Sequence, residues 1–289
     1  MKTKSPKGKF LRGVKEFGLL LLIVFLFNSF VLASFEVPTG SMENTVMTGD
    51  FLLVNKFMLG GRTLEVIPYT GIHLPHLRVP GFRDVRRGDV IVFEFPGLRD
   101  ERQAKEFTYY LKRCVALAGD TVQVINKVLY VNGVRAPLPK SIKFLRPVPL
   151  SADRPDPDIF PVGAPFNADN FGPIRVPKKG DVITLARDNI RAWRTFIERE
   201  GHDVSVDGNA IHVDGKPETE YTVERNYLFG MGDNRDDSLD SRYWGFVPRT
   251  SLVGTPLIVY WSWNPDTPIY RIFEKVASIR WNRIGRLIE

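Results

Sequence analysis

Residues 109–133, "YYLKRCVALAGDTVQVINKVLYVNG", place apolar side chains with a period near two. This period is typical of β-strands, in which successive side chains point to opposite faces. The closing "VNG" is a hairpin-type turn. The same period appears in residues 50–57 ("DFLLVNKF") and 89–95 ("DVIVFEF"). We therefore predict a mainly β fold.

Residues 121–222 have the character of an insertion with hairpins of its own. "VDG" occurs at 206–208 and again at 213–215, which predicts two more hairpin-type turns. The Pro-rich stretch 137–165 is too irregular for a regular element and is expected to wrap the surface. Residues 187–201 show helical spacing of apolar side chains and end at a glycine, which predicts a helix.

The last part of the chain contains an apolar run and a basic amphipathic segment. "PLIVYWSW", residues 256–263, is too short to cross a bilayer and predicts a buried strand. Residues 270–289 either lie on a membrane surface or complete the core, and we favour the core.

One segment is apolar enough to span a membrane. Residues 17–35, "FGLLLLIVFLFNSFVLASF", contain no charge and would extend roughly 28 Å as a helix. Lysines before this run place the N-terminus in the cytoplasm. The alternative is a removable signal peptide cleaved after Val31-Leu32-Ala33. A retained anchor is favoured, because the run is long for a signal core and cleavage would leave Ser41 almost at the new terminus.

Charge and cysteine content exclude several function classes. About +5 of the net charge of +7 lies in residues 1–16, so the basicity is a terminal tag and does not indicate nucleic-acid binding. Cys114 is the single cysteine, which excludes an intramolecular disulfide and a cysteine-based metal site. The four histidines show no metal-ligand spacing with it. We expect neither a metal nor a cofactor.

"PTGSM", residues 38–42, holds Ser41 in a Pro-flanked turn just outside the apolar run. A serine hydroxyl is a weak nucleophile without a base. Lys112 lies in an apolar strand, where burial would lower its pKa from about 10.4 and yield a neutral amine that accepts the proton. Ser41 as an ordinary turn residue and Lys112 as a snorkelling lysine remain open. His73 and His76 are alternative bases, although no feature ties them to Ser41.

"GDNRDDSLDSRYWGFVP", residues 232–248, combines acids and arginines before an aromatic run. Its spacing excludes a calcium loop, because an arginine occupies the third position from Asp233 and Ser238 stands where a glycine is required. We predict an internally paired polar network that holds a nearby lysine in place.

Taken in order, these stretches resemble bacterial type I signal peptidases, membrane-bound Ser/Lys endopeptidases of the S26 family. The resemblance rests on "PTGSMENTVMTGDFLLVNKF", "RGDVIVFEFP", "YYLKRCVALAGD" and "GDNRDDSLDSRYWGFVP". It implies a mainly β fold: a coiled antiparallel β-sheet catalytic domain with an inserted smaller β-rich domain, preceded by one N-terminal transmembrane helix. The implied segments are a basic tail at 1–16, the anchor at 17–35, the catalytic domain at 36–120 and 223–289, and the inserted domain at 121–222.

The resemblance also assigns roles. It implies Ser41 as nucleophile, Lys112 as general base and Ser238 as the hydroxyl that orients the lysine. Thr39, where many members have serine, would form the oxyanion hole with the Ser41 backbone N–H. The implied supporting network is Asp233, Arg113, Asp240 and Arg242. The implied pocket for the residue before the cut is lined by Val37, Pro38, Met42, Val46 and Leu111, with Val92 at the neighbouring subsite.

Two departures from the family pattern lie beside this chemistry. Glu43-Asn44 stands where a proline often follows, and "DDS" replaces the commoner "DNS". We expect a modest effect on loop rigidity at most.

The implied function is removal of signal peptides from exported preproteins after a small-x-small site. The enzyme would act as a monomer near the secretion translocon. It would be a single-pass protein of the bacterial inner (cell) membrane, in contact with lipid, with its catalytic domain outside the cytoplasm. A non-catalytic anchored β-protein and a self-cleaving Ser/Lys protease are alternatives. The joint presence of Ser41, Lys112 and Ser238 argues against the first. The membrane span and the lack of a DNA-binding head argue against the second.

Overall fold

The computed structural model describes residues 6–62, 77–208 and 210–289. Within them the strands are β1 (Leu32–Glu36), β2 (Asp50–Asn55), β3 (Val90–Glu94), β4 (Tyr109–Leu117), β5 (Thr121–Ile125), β6 (Val128–Val131), β7 (Val134–Arg135), β8 (Phe171–Arg175), β9 (Val182–Thr184), β10 (Val204–Asp207), β11 (Ala210–Val213), β12 (Lys216–Pro217), β13 (Glu220–Thr222), β14 (Tyr227–Met231), β15 (Val247–Pro248) and β16 (Leu252–Ser262). The helices are α1 (Pro6–Phe30), α2 (Ile190–Glu200), α3 (Ser241–Trp244) and α4 (Ile272–Ala277).

Helix α1 is the predicted membrane span, but its bounds differ from the prediction. It begins inside the basic tail and ends at Phe30, and residues 12–30 are long and apolar enough to cross a membrane. The prediction of one helix over 17–35 is wrong at its C-terminal end, because β1 pairs with β2 from Leu32 to Glu36. Those residues satisfy their backbone hydrogen bonds in a sheet. An apolar run suits a membrane helix and a buried strand equally well.

The main sheet has seven strands in the order β1-β2-β16-β3-β4-β14-β15, and all its pairings are antiparallel. Side chains alternate across it: Val90 and Val92 pack in one buried cluster, whereas Ile91 and Phe93 pack in another. The sheet is therefore covered on both faces. This arrangement confirms the predicted mainly β fold and the strands expected at 50–57, 89–95 and 109–117.

Strand β16 carries most of the register irregularities that bend this sheet. Its register shifts against both β2 and β3. Such bulges bend a strand and increase its twist. At Gly254 a Cβ atom would lie 2.3 Å from the Asn55 carbonyl oxygen, so only glycine allows the two strands to approach this closely.

Residues 121–222 form three smaller sheets and α2. The sheets have the orders β7-β6-β5-β8, β10-β11-β12 and β9-β13. The predicted helix at 187–201 is present as α2, and the left-handed Gly201 follows its last residue. The core beneath these sheets also includes Ala116 and Phe229 of the main sheet. Because one apolar cluster crosses both predicted boundaries, the division into two domains stays a prediction.

The C-terminal segment is partly core and partly exposed. Ile288 packs against the cluster that contains Val90, and Arg283 pairs with the buried Asp50 at 2.6 Å. Helix α4 instead leaves Phe273 92% exposed. The preference for a core role therefore holds for the last residues but not for α4.

Candidate active site

Ser41 lies in an irregular turn between β1 and β2. The Glu43 N–H donates to the Gly40 carbonyl, and the Val46 N–H donates to the Met42 carbonyl. Asn44 adopts a left-handed conformation with φ of 78°. The Met42 side chain is buried beneath the turn. The buried Met42 side chain therefore anchors the turn in the core, and Ser41 lies at the edge of a cleft.

Lys112 lies in the middle of β4, opposite Ile91 of β3. Its Nζ is 2.6 Å from the Ser41 Oγ, and the residue is only 3% exposed. Burial lowers the pKa of Lys112 to about 8, although the charge of Asp240 opposes this shift. The rings of Tyr110 and Trp244 lie 5.6 and 5.9 Å from the amine. The sheet therefore delivers a largely dehydrated amine to the serine hydroxyl.

The two other predicted hydroxyl groups differ in their contacts. The Thr39 Oγ1 lies 3.4 Å from the Ser41 Oγ. The Ser238 Oγ is buried and has no hydrogen-bond partner within the described part of the chain. Its predicted bond to Lys112 is not among the observed contacts, so its orienting role stays a prediction.

Gly232 explains how Ser238 comes so close to the serine turn. A Cβ atom at Gly232 would lie 2.1 Å from the Ser238 Oγ and 2.6 Å from the Ser41 carbonyl oxygen. Any side chain at Gly232 would therefore push Ser238 and the serine turn apart.

The predicted polar network forms two buried ion pairs. Asp233 accepts from the Arg113 Nε at 2.8 Å and Nη2 at 2.6 Å, and also from the Thr45 hydroxyl. Asp240 accepts from Arg242 and from the Gly232 N–H. Burial alone would raise the pKa of both carboxyl groups, but the paired arginines outweigh it and both pKa values are lowered. Both aspartates are therefore charged at neutral pH.

A cleft of about 690 Å³ opens beside Ser41 and Lys112. Its walls include five of the six predicted pocket residues: Val37, Pro38, Met42, Val92 and Leu111. Val46 does not line the cleft, because it is fully buried in the cluster beneath it. The walls also contain residues that were not predicted: Phe35, Leu52, Phe107, Tyr109, Tyr110 and Leu239. Strand periodicity could have identified Leu52 as a buried side chain, because it alternates with half-buried neighbours in β2.

No histidine among the residues that the structure describes lines the cleft beside Ser41. His73 and His76 fall outside the described residues. His202 bonds to Asp214 and Glu224, away from the cleft. Among residues 6–62, 77–208 and 210–289, no group of His, Cys, Asp and Glu could hold a metal ion.

An apolar cleft that brings a serine hydroxyl to an amine and a second hydroxyl is typical of serine hydrolases. The model of the family "Signal peptidase, peptidase S26" matches residues 10–261. Signal peptidase I of Pseudomonas aeruginosa is 31% identical over 92% of this chain and 78% of its own length. Signal peptidase I of Buchnera aphidicola subsp. Schizaphis graminum is 30% identical, over 97% of this chain and 83% of its own length. Signal peptidase I of Aquifex aeolicus is 25% identical, over 94% and 96% respectively.

The chain belongs to the signal peptidase S26 family. It is a serine endopeptidase that removes signal peptides from preproteins, and its N-terminal apolar helix fits a membrane-anchored protein. The resemblance predicted from the sequence is confirmed.

Proposed function

We propose that this endopeptidase cleaves after small-x-small sites with a Ser41/Lys112 dyad. The observation that supports this most directly is the 2.6 Å contact between the Ser41 Oγ and a lysine that is 3% exposed. A lysine with a pKa of about 8 is roughly one-tenth neutral at pH 7, which is enough to serve as a general base.

Catalysis begins with proton transfer from the Ser41 hydroxyl to the neutral Lys112 amine. The Ser41 Oγ attacks the scissile carbonyl, and the resulting oxyanion accepts hydrogen bonds from the Thr39 hydroxyl and the Ser41 N–H. The Lys112 ammonium then donates its proton to the leaving amine. In deacylation Lys112 takes a proton from a water molecule, the resulting hydroxide adds to the ester carbonyl, and the Lys112 ammonium returns the proton to the Ser41 Oγ as the ester bond breaks. Every proton step passes through one amine, so its position relative to Ser41 controls the rate.

The buried ion pairs support the dyad by keeping its surroundings rigid and ionised. Asp240 lies close enough to raise the pKa of Lys112, and Arg242 offsets that charge. Asp233 holds Arg113 of β4 to the loop that carries Ser238. Ser238 completes this arrangement as the hydroxyl that orients Lys112, and its buried Oγ, which has no hydrogen-bond partner among the described residues, is available for that role.

The cleft provides specificity by exclusion. The side chains of Val37, Met42 and Leu111 form apolar walls beside Ser41. A small residue before the cut fits between such walls, whereas a larger one would clash. Val92 lies at the neighbouring subsite, where the second small residue of the site would bind.

The anchor holds this site at the outer face of the bacterial inner membrane. Lysines precede α1, which favours a cytoplasmic N-terminus. Strand β1 begins two residues after α1 ends, so the main sheet lies next to the bilayer and its lipids. Cleavage after Ala33 would cut β1, which supports a retained anchor. The enzyme works there as a single-pass monomer near the secretion translocon.

Cleavage of a preprotein whose signal ends in Ala-x-Ala tests this proposal. Wild type, Ser41→Ala and Lys112→Ala are assayed in lipid, after each has been checked for folding. Cleavage at that site by wild type alone supports the dyad. Cleavage that survives Lys112→Ala would shift the base to His73 or His76.

A further inference from the structure

Six residues of the Pro-rich stretch, 141–146, lie directly against the loop 232–238; we call them the strap. Lys143 forms a parallel bridge with Asn234. The Lys143 N–H donates to the Asp233 carbonyl at 2.8 Å, and the Arg235 N–H donates to the Lys143 carbonyl at 2.9 Å. A stretch without regular structure is thus joined by backbone hydrogen bonds to the loop that carries Ser238.

Asp236 fastens the far end of the strap. Its side chain is 2% exposed and accepts from the N–H groups of Leu145 and Arg146 at 2.7 and 2.8 Å. It also accepts from the Lys127 Nζ at 2.7 Å and the Arg146 Nη2 at 3.1 Å. Burial would raise the pKa of Asp236, but these donors outweigh it and lower the pKa to about 2. A carboxylate that is charged at neutral pH therefore holds both segments together.

The near end of the strap reaches the serine turn itself. The Lys143 Nζ pairs with the Glu43 carboxylate at 2.8 Å. Asn234, which the strap holds, donates from its N–H to the Ser41 carbonyl at 3.1 Å and from its Nδ2 to the Gly40 carbonyl at 3.2 Å. The strap therefore contacts the residues on both sides of the Ser41 side chain, directly through Glu43 and indirectly through Asn234.

The two halves of the dyad are supported very differently. Lys112 lies within a strand that is paired on both sides, by β3 and β14. Ser41 lies in a turn that contains a left-handed asparagine and has no strand partner of its own. The distance between Ser41 and Lys112 therefore depends mainly on what holds the turn.

We propose that the strap is a positioning element for catalysis, and that the Lys143–Glu43 ion pair holds Ser41 at its distance from Lys112. This inference rests on the proposed dyad. It gives the Pro-rich stretch a role in the reaction without any contact with substrate, since none of residues 141–146 lines the cleft. Lys143 and Glu43 are 30% and 35% exposed, so their pairing contributes little to stability, whereas a small displacement of Ser41 strongly affects turnover.

The test measures kcat, KM and thermal midpoint for Lys143→Met and Glu43→Gln on the same preprotein substrate. We expect each to lower kcat about tenfold, with KM and thermal midpoint little changed, because misplacement of a reacting group affects turnover first. The charge-reversed double variant, Glu43→Lys with Lys143→Glu, should recover much of the lost kcat. Arg175→Met is the matched control, since it breaks an exposed pair with Asp181 at 3.1 Å that does not contact the cleft.

Failure of the strap proposal is distinct from failure of the dyad. The dyad stands if wild type cleaves the substrate and Ser41→Ala does not. If, in addition, the kcat of Lys143→Met equals that of the control Arg175→Met, the strap proposal is wrong. A charge-reversed double variant no better than either single variant would also overturn it. If Ser41→Ala still cleaves, the dyad itself is wrong. A kcat loss confined to the single variants and repaired by charge reversal is the supporting result.

Discussion

Lys56 and Lys112 are two lysines that are buried to the same extent but contact different groups. Each is 3% exposed, and burial lowers the pKa of each to about 8. The Lys112 amine meets the Ser41 hydroxyl at 2.6 Å. The Lys56 amine donates to the Asn28 carbonyl, in the last turn of α1, at 3.1 Å. A lowered pKa leaves part of the amine neutral and able to act as a base. It can do so only where a neighbouring group, such as the Ser41 hydroxyl, can donate a proton to it.

The positions of the two lysines explain their separate uses. A cation near the C-terminus of a helix interacts favourably with the free carbonyl groups there, and Lys56 does so where α1 meets the main sheet. Lys112 faces a cleft and carries no such structural contact. We therefore expect Lys56 to affect stability and Lys112 to affect turnover.

The largest expected effect separates the two lysines by activity. Lys112→Ala should lower kcat by about 10⁴-fold or more, a loss typical of removing a member of a catalytic unit. Lys56→Ala should leave kcat within a few-fold of wild type, because Lys56 does not line the cleft. Single-turnover cleavage in lipid, with folding checked by circular dichroism, measures both. Similar losses for the two variants would remove the distinction between a base and a structural lysine.

The next largest expected effect comes from weaker stabilisation of the oxyanion. Thr39→Val removes one hydroxyl donor and keeps the shape of the side chain. It should lower kcat by about 10²–10³, with little change in KM. Thr39→Ser is the matched variant and should retain most activity, because it keeps the hydroxyl. An unchanged rate for Thr39→Val would mean that the Ser41 N–H stabilises the oxyanion alone.

The pH dependence should follow the neutral form of Lys112. Because its pKa is lowered to about 8, kcat/KM should fall about tenfold for each pH unit below that value. Measurement between pH 5 and 9.5 in one buffer series tests this. Lys56→Met should leave the profile unchanged. A profile that is flat down to pH 5 would contradict a lysine base.

The smallest effect is a linkage between pH and stability. The folded pKa of Lys56 is about 8 and the unfolded value is about 10.4, so the unfolded chain binds more protons between these values. Stability from this residue therefore rises with pH across the window from 8 to 10.4. Lys56→Met should remove that part of the slope, and the exposed Lys105→Met should not. Urea midpoints at pH 7.5 and 9.5 give the comparison. Equal slopes for wild type and Lys56→Met would argue against the lowered pKa.

The local sequence pattern predicted the surroundings of Lys112 far better than those of Ser41. The apolar alternation of "YYLKRCVAL" correctly placed Lys112 within a buried strand, because periodicity records which side chains face a core. No comparable pattern describes an irregular turn, so the contacts of Ser41 with Asn234 and of Glu43 with Lys143 were not foreseen. Glu43 and Lys143 are 100 residues apart. Tyr109 and Phe107 of the cleft were also missed, since the lining depends on how strands from separate segments come together.

The sequence by itself predicted strands β2, β3, β4 and β16 of the main sheet, the apolar span, the family and the two residues of the proposed dyad. Each of these follows from local periodicity, composition or a sequence motif. Only the tertiary structure decided that the span ends at Phe30, that Val46 lies beneath the cleft, and that the Ser238 hydroxyl is buried with no hydrogen-bond partner among the described residues. It also decided the 2.6 Å distance between Ser41 and Lys112. The physical reason is that the register of β3, β4 and β14, together with the packing of distant segments, sets these contacts, and no local window of sequence contains both partners.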